Sequence, residues 1–412
     1  MAELRQNTWS LNPWYDQDVA GDAKYEASGK LWMWGGNTEG QLGQNTTTAC
    51  SSPIQVGTDT TWTKIASFGY NKTFAMKDDA TLWAWGKNEQ GQLGTKDVVH
   101  RSSPTQIPGT GWQMTRDTFF GSPFVTQAIK TDGSMWIWGW NSNGELGLPR
   151  VAPYWYAMKD ESSPVQLPGT WTKAQMSSGL KSDGSLWMWG DNFYGTLGQN
   201  LSAFGSPQAQ EAASSPCQIP GDWKDFSRSI EQQGFCSGIK TDGTLWTWGK
   251  NQYGQSGTGI PGQPDYHPSW RISSPTQVGT DADWERCSSA TYGRNMWQKT
   301  DGSIWYTGSG PTNQSWGLGA RSSPTQIPGT VIPGIDYWIQ GNMKFYLDSA
   351  NGKVYLDGPN GSGMTGANQP GPTVYTSVTY LPAVWDKFKE AGITKDQLGL
   401  GGPTSVGAIE KT

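Results

Sequence analysis

Residues able to do chemistry are few in this chain, and most sit where structure already explains them. The two histidines, His100 and His267, lie more than a hundred residues apart in different repeats. The four cysteines, Cys50, Cys217, Cys236 and Cys287, form no C-x-x-C pair, so buried reduced thiols are expected rather than a zinc site or a disulfide framework. Asp132, Asp183, Asp242 and Asp301 recur, but each precedes a Gly at a turn. No D-x-D-x-D-G calcium loop, G-x-S-x-G elbow, H-E-x-x-H helix or phosphate loop occurs. No catalytic residue, metal or cofactor is therefore expected, and the chain reads as a non-enzyme. A glycosidase built from carboxylates of separate repeats is the weakest alternative. The remaining chemistry is aromatic: Tyr154, Trp155, Tyr156, Phe204, Tyr266, His267 and Trp270 stand outside the repeating pattern. Side chains of this kind anchor protein or sugar contacts.

Composition says what must position them. Of 412 residues, 55 are Gly and 25 are Trp, while apolar residues make up 34% and charged residues 16%. An ordinary chain of this length would carry about 29 Gly at the usual frequency. Indoles therefore take much of the core volume that Leu, Ile and Val normally fill. Net charge is −5 with no basic cluster, which argues against a nucleic-acid partner. No apolar run reaches the ~18 residues of a membrane helix, and the first residues lack the apolar core of a signal peptide. Gly and Pro recur too often for long helices.

Repetition dominates the chain. LWMWG at 31–35 returns as LWAWG at 82–86, MWIWG at 135–139, LWMWG at 186–190 and LWTWG at 245–249. IWYTG at 304–308 and VYLDG at 354–358 are weaker copies. Starts are separated by 51, 53, 51, 59, 59 and 50 residues. A tight Asp-Gly or Asn-Gly turn precedes most copies, which predicts a hairpin with positive φ at both central residues. The first copy has Ser28-Gly29 there and the second Asp78-Asp79, so those turns are less well defined. Alternation puts Trp32 and Trp34 on one face of the strand and Leu31 and Met33 on the other, so both faces are covered. N-x-x-G-x-L-G follows, with Ser256 replacing Leu in the fifth copy, and then S-S-P-x-Q and a further Trp. Four short strands per unit and seven units predict an all-β, seven-bladed β-propeller of four-stranded blades.

Closure is expected from pairing of the N- and C-terminal segments. The stretch 373–385, TVYTSVTYLPAVW, resembles another S-S-P-to-Trp portion and is expected to join 1–27 in the blade containing 31–35. The propeller is thus assigned to 1–388, and 389–412 to a Gly-rich tail that could act as an anchor. Some helical character is expected at 385–398.

LWxWGxNxxGQLG followed by SSPxQIPG resembles the repeat of the regulator of chromosome condensation family, which forms seven-bladed propellers. Together with QNTWSLNPWYDQDVAG near the N-terminus, it is also similar to virion-associated propellers encoded by bacteriophages. The eukaryotic founder of the family exchanges nucleotides and binds chromatin, but this chain has neither its basic tail nor a match to its exchange loop. That resemblance implies a bacteriophage virion protein for host attachment or capsid decoration. It would be made in the host cytoplasm, without membrane insertion, and would bind other virion proteins and a host-surface glycan or protein. A cellular protein-interaction or inhibitor propeller is the alternative. Linkers between N-x-x-G-x-L-G and S-S-P supply the expected surface. Those at 148–161, 199–213 and 258–272 have 14, 15 and 15 residues, against 7 each at 44–50 and 95–101. They carry the aromatic candidates named above and should project together from the third, fourth and fifth units.

Overall fold

The computed structural model describes residues 28–68, 71–115, 117–149, 159–192, 194–200, 212–229, 234–262, 271–289 and 293–308, and beyond these seven strands of the C-terminal region. Pairing gives five four-stranded antiparallel sheets and one of eight strands, whose two four-stranded halves meet only at Gly29↔Trp62; these seven four-stranded units are the blades. Blade two runs Trp62–Phe68, Lys72–Lys77, Leu82–Gly86 and Arg101–Gln106 from its first strand to its last. Blades three to six repeat that order through Glu161–Leu167, Ala213–Ile219, Arg271–Gln277 and Arg321–Val331, their last strands. Blade seven ends with Val374–Tyr380. The S-S-P strand is thus last in each of these sheets, where a Pro removes no needed ladder donor.

Blade one combines both ends of the chain. Gly29–Gly35 pairs with Cys50–Gln55 on one side and with Ser405–Lys411 on the other, in register from Gly29↔Lys411 to Gly35↔Ser405. Leu398–Leu400 completes it. Closure by terminal pairing is as expected, but the segment differs. Val374–Tyr380 pairs with Lys353–Pro359 inside blade seven. An S-S-P-like strand pairs with the Trp-type strand before it in every repeat, and Val374–Tyr380 does the same within its own blade. The C-terminal stretch is therefore not a free tail, since its strands fill the two places that the N-terminal half-blade lacks. Residues 1–27, the helical expectation over most of 385–398 and the rest of the tail lie outside the described residues.

Each apolar core lies between two blades. Leu31, Met33, Leu42 and Val56 of blade one meet Trp62, Ile65, Ala75 and Trp85 of blade two. Leu180, Leu186, Met188, Leu197 and Ile219 of blade four meet Trp223, Phe226 and Trp248 of blade five. The Leu/Met face thus packs on the following blade and the Trp face on the preceding one. A fully buried Trp contributes about 4–6 kcal/mol of gross transfer free energy, which compensates for the scarcity of aliphatics.

Polar parts of the motif hold these stacks in register. Within the turn, the Oδ1 atoms of Asn37, Asn88, Asn141 and Asn192 accept from the amides of Leu42, Leu93, Leu146 and Leu197 at 2.8–3.0 Å. The residue before that Leu offers its carbonyl to the next blade. Gln41 O accepts from Trp85 Nε1 at 2.8 Å and Thr73 Oγ1 at 2.9 Å, and Gln92 O accepts from Trp138 Nε1 and Thr126 Oγ1. The turn Gly abuts the first Ser of the next S-S-P, so a Cβ on Gly91 would stand 2.5 Å from Ser162 Cα.

The Asp-Gly hairpins differ from expectation in one respect. Gly133, Gly184, Gly243 and Gly302 have positive φ, and the Asp before each does not. A type I turn followed by one left-handed residue forms a three-residue loop with a bulge. Ala80 holds that left-handed position in the second copy, at φ 58°. The Asp then has a second duty: Asp132 Oδ1 accepts from Ser134 N and Oγ, and Ser134 Oγ accepts from Trp136 Nε1 at 2.9 Å. The same D-x-[ST]-x-W relay orients Trp83, Trp187 and Trp246. These hydrogen bonds from Ser134 hold the Asp132 carboxyl below the usual carboxylate range.

Candidate functional site

Antiparallel order fixes which loops share a face. The loop from first to second strand and the N-x-x-G turn with its long linker leave one end of every blade, while the Asp turns leave the other. The former end departs from the repeat in blades three to five.

Trp140 follows MWIWG where the other copies have Gly36, Lys87, Asp191 and Lys250. Its ring centroid lies 5.1 Å from that of Phe124, and its amide donates to Phe124 O at 2.9 Å. Phe124 is 42% exposed, a large apolar ring held on the surface. Tyr194 and Tyr253 hold a turn position occupied by Glu39, Gln90 and Asn143 elsewhere. Lys250 Nζ stands 4.9 Å and the Arg271 guanidinium 5.7 Å from the Tyr194 ring centre. Each Tyr reaches the next blade at a glycine, and a Cβ there would come within 2.1 Å of Tyr194 at Gly234 or 2.2 Å of Tyr253 at Gly293. Tyr253 and Ile260 are also exposed.

Over blades one and two the same face is ionic. His100 Nδ1 lies 2.8 Å from Glu39 Oε2, and its Nε2 lies 3.9 Å from Glu89 Oε1. Lys87 pairs with Glu89 at 3.0 Å, and Arg101 pairs with Asp97. His100 thus joins the turns of two blades.

The sequence-derived candidates Tyr154, Trp155, Tyr156, Phe204, Tyr266, His267 and Trp270 all lie outside the described residues. What is described is the root of the third linker, where Asn141 N donates to Asp160 Oδ1 at 2.9 Å and Asn141 Nδ2 to Lys159 O at 3.3 Å. Phe124, Trp140, Tyr194 and Tyr253 were not singled out from sequence. Comparison of aligned repeats could have found three of them, because each puts an aromatic where its sister copies are Gly, polar or charged. Phe124 lies in a loop of variable length and gave no such signal.

Two buried ionisable groups are structural in setting. Burial pushes Lys72 down to about 7, with its ammonium 3.3 Å from Thr126 Oγ1. Burial also raises the Glu145 carboxyl, despite hydrogen bonds from Asn143. Among the described residues, no group of His, Cys, Asp and Glu is placed to hold a metal ion. All four cysteines are free, with Cys236 and Cys287 buried. Burial drives the Cys236 thiol up to about 12, which removes it as a nucleophile.

Comparison with known proteins finds the repeat in part of the chain. The profile of the Regulator of chromosome condensation (RCC1) repeat matches residues 28–76, 79–121 and 242–295. The chain is 27% identical over 240 residues to the Ultraviolet-B receptor UVR8 of Arabidopsis thaliana, covering 56% of this chain and 51% of that protein. It is 32% identical over 149 residues to the human X-linked retinitis pigmentosa GTPase regulator, covering 34% and 14%. The chain thus spans about half the length of the first of these relatives and less of the second. Among solved structures, yeast RCC1 (Prp20) bound to Kap60 superposes with a TM-score of 0.69 at 17% identity, covering 95% of this chain and 92% of that one. Human WBSCR16 gives 0.68 at 15% identity, covering 93% and 99%.

Proposed function

We propose that this chain, an RCC1-repeat propeller, is a non-enzymatic binding module that takes a protein partner on the loop face of blades three to five. One observation carries the reading. On a scaffold that repeats its turns closely, Trp140, Tyr194 and Tyr253 replace small, polar or charged residues on adjacent blades and on one face. Aromatic side chains beside an Arg match the composition of interface hot spots. Support also comes from yeast RCC1, whose structure is of a complex with Kap60 and whose binding to Gsp1p and histones has been studied. The finer reading places the module on a bacteriophage particle, facing other virion proteins or the host surface, and rests on the motif resemblance alone.

A photo-crosslinker at position 124, followed by mass spectrometry, identifies the partner. The double change Phe124→Ala and Trp140→Ala should then weaken binding tenfold or more, roughly, with melting little altered. Unchanged binding refutes the site. Immunogold labelling of purified particles tests the finer reading, and unlabelled particles leave the cellular alternative standing.

A further inference from the structure

First strands of adjacent blades adjoin around the propeller axis, and they carry a charge pattern that neither the apolar cores nor the loop face uses. One register place can be compared directly in five blades. It pairs, through the second strand, with the opening residue of the Trp strand. Lys64 reaches Leu82 through Met76, Lys173 reaches Leu186 through Leu180, and Asp225 reaches Leu245 through Ile239. Arg286 reaches Ile304 through Gln298, and Asp336 reaches Val354 through Leu347. In blades two, four, five and six a bulge after the leading Trp brings the charged residue to this place. Blade three supplies Asp117, just ahead of its first strand, and the Asp117 carbonyl accepts from Ala174 N of blade four at 2.7 Å. From blade two to blade seven the signs therefore run plus, minus, plus, minus, plus, minus.

Three members of this belt touch directly. Lys173 Nζ pairs with Asp225 and lies 3.4 Å from Asp117 Oδ1, so one ammonium joins blades three, four and five. Asp225 Oδ2 also accepts from Cys287 N at 2.8 Å, across to blade six. Lys64, Lys173 and Asp225 are buried. Seven is odd, so a ring of seven cannot alternate throughout. The break falls in blade one, which is built from both chain ends. Its strand Leu398–Leu400 begins one residue past the equivalent place, and the residue before it in sequence is the neutral Gln397.

Buried ion pairs are a poor source of stability, because apolar residues of the same volume often do as well. They discriminate strongly, since a buried charge set against its like loses its partner and keeps its desolvation cost. The rest of each junction discriminates little. The same indole-to-turn-carbonyl bond recurs from blade to blade, at Trp85, Trp138, Trp189 and Trp248. On the belt, docking blade four onto blade six sets Lys173 against Arg286, and docking two onto four sets Lys64 against Lys173. Between blades two and seven, every skip of one blade joins like charges. We propose that the belt is a blade-order code, which rejects docking that skips a blade while the ring closes, within one chain or between two.

The test needs no knowledge of the loop-face partner, so it stands or fails apart from the function proposed above. The full chain is refolded from urea and its products are resolved by size exclusion. Lys173→Met with Asp225→Asn removes both charges, and the Asn carbonyl can still accept from Cys287 N. Monomer of this variant purified from cells should melt no more than about 2 °C below the parent. Its yield of monomer on refolding should fall roughly twofold or more, with dimers and larger species in its place. Arg286→Gln, at an exposed residue outside the apolar core, should lower the yield in the same direction. Lys224→Gln with Glu285→Gln removes an exposed pair between blades five and six and should change neither readout. Two results overturn the proposal: the parent's yield in both belt variants, or an equal loss of yield when the exposed pair is removed.

Discussion

Replacing Gly91 with Ala should cost far more than the same change at Gly57, although both glycines have left-handed backbones. Gly91 has φ 74° and Gly57 φ 63°, so each substitution incurs the left-handed penalty of about 1–2 kcal/mol. Reduced freedom of the unfolded chain returns about 0.4–1 kcal/mol in both. Their surroundings differ. Nothing lies within 4 Å of a Cβ on Gly57, whereas one on Gly91 stands 2.5 Å from Ser162 Cα and 2.7 Å from its Cβ. Backbone atoms of a neighbouring blade cannot yield as a flexible side-chain tip would. Overpacking of this kind adds about 1–3 kcal/mol. The expected losses are thus roughly 1 kcal/mol at Gly57 and 2–4 kcal/mol at Gly91. Urea unfolding followed by indole fluorescence measures both, provided the slope is common to the variants. Equal midpoints would refute the inter-blade contact as the reason for the turn glycine.

Removing 398–412 should destabilise the protein strongly, because two of the four strands of blade one go with it and Gly29–Gly35 becomes an open edge; a melting temperature within about 2 °C of the parent would contradict the closure. Lys72→Met should stabilise at pH 7, because burial disfavours the ammonium and the thioether carries no charge to desolvate. The native pKa of Lys72 lies at about 7, below its unfolded value, so the unfolded chain holds the extra proton between the two and parent stability rises with pH across that window; the variant's advantage should shrink by pH 10 in thermal melts. Gly234→Ala should displace the Tyr194 ring and weaken partner binding several-fold, read by titration, while Gly279→Ala, with open space around it, should not.

Most of the scaffold was legible in the sequence because its signals are local and repeated. Alternation in LWxWG fixed both covered faces, and N-x-x-G-x-L-G marked a turn that recurs with its own internal hydrogen bonds. Ring closure was legible in kind but not in place. The strand at 405–411, SVGAIEK, has no Trp and no motif, and its assignment comes only from the vacant half-blade beside Gly29–Gly35. The candidate face was half legible. Long linkers drew attention to aromatics outside the described residues, while Trp140, Tyr194 and Tyr253 lay inside the motif and were read as part of it.

The sixth blade shows why a degraded motif need not mean a degraded contact. IWYTG puts Thr307 where the stronger copies have their second Trp. Thr307 Oγ1 donates to Gln255 O at 2.9 Å, in place of the indole that donates to Gln41 O in blade two. The lost volume returns from the adjacent strand, where Trp297 stands at the register position that Ala75 occupies in blade two. Trp297 lies 6.1 Å from Trp284, centre to centre, as Trp85 lies 6.2 Å from Trp62. It is fully buried and joins the core with Leu245 and Val278 of blade five. The exchange separates two duties that one indole performs elsewhere, filling the gap between blades and donating to the turn carbonyl. Trp297 keeps the first and Thr307 the second, which leaves the Trp297 N–H buried without an acceptor among the described residues. Such a group costs about 1–3 kcal/mol, and the contact survives because shape and hydrogen bonding can be supplied by different residues.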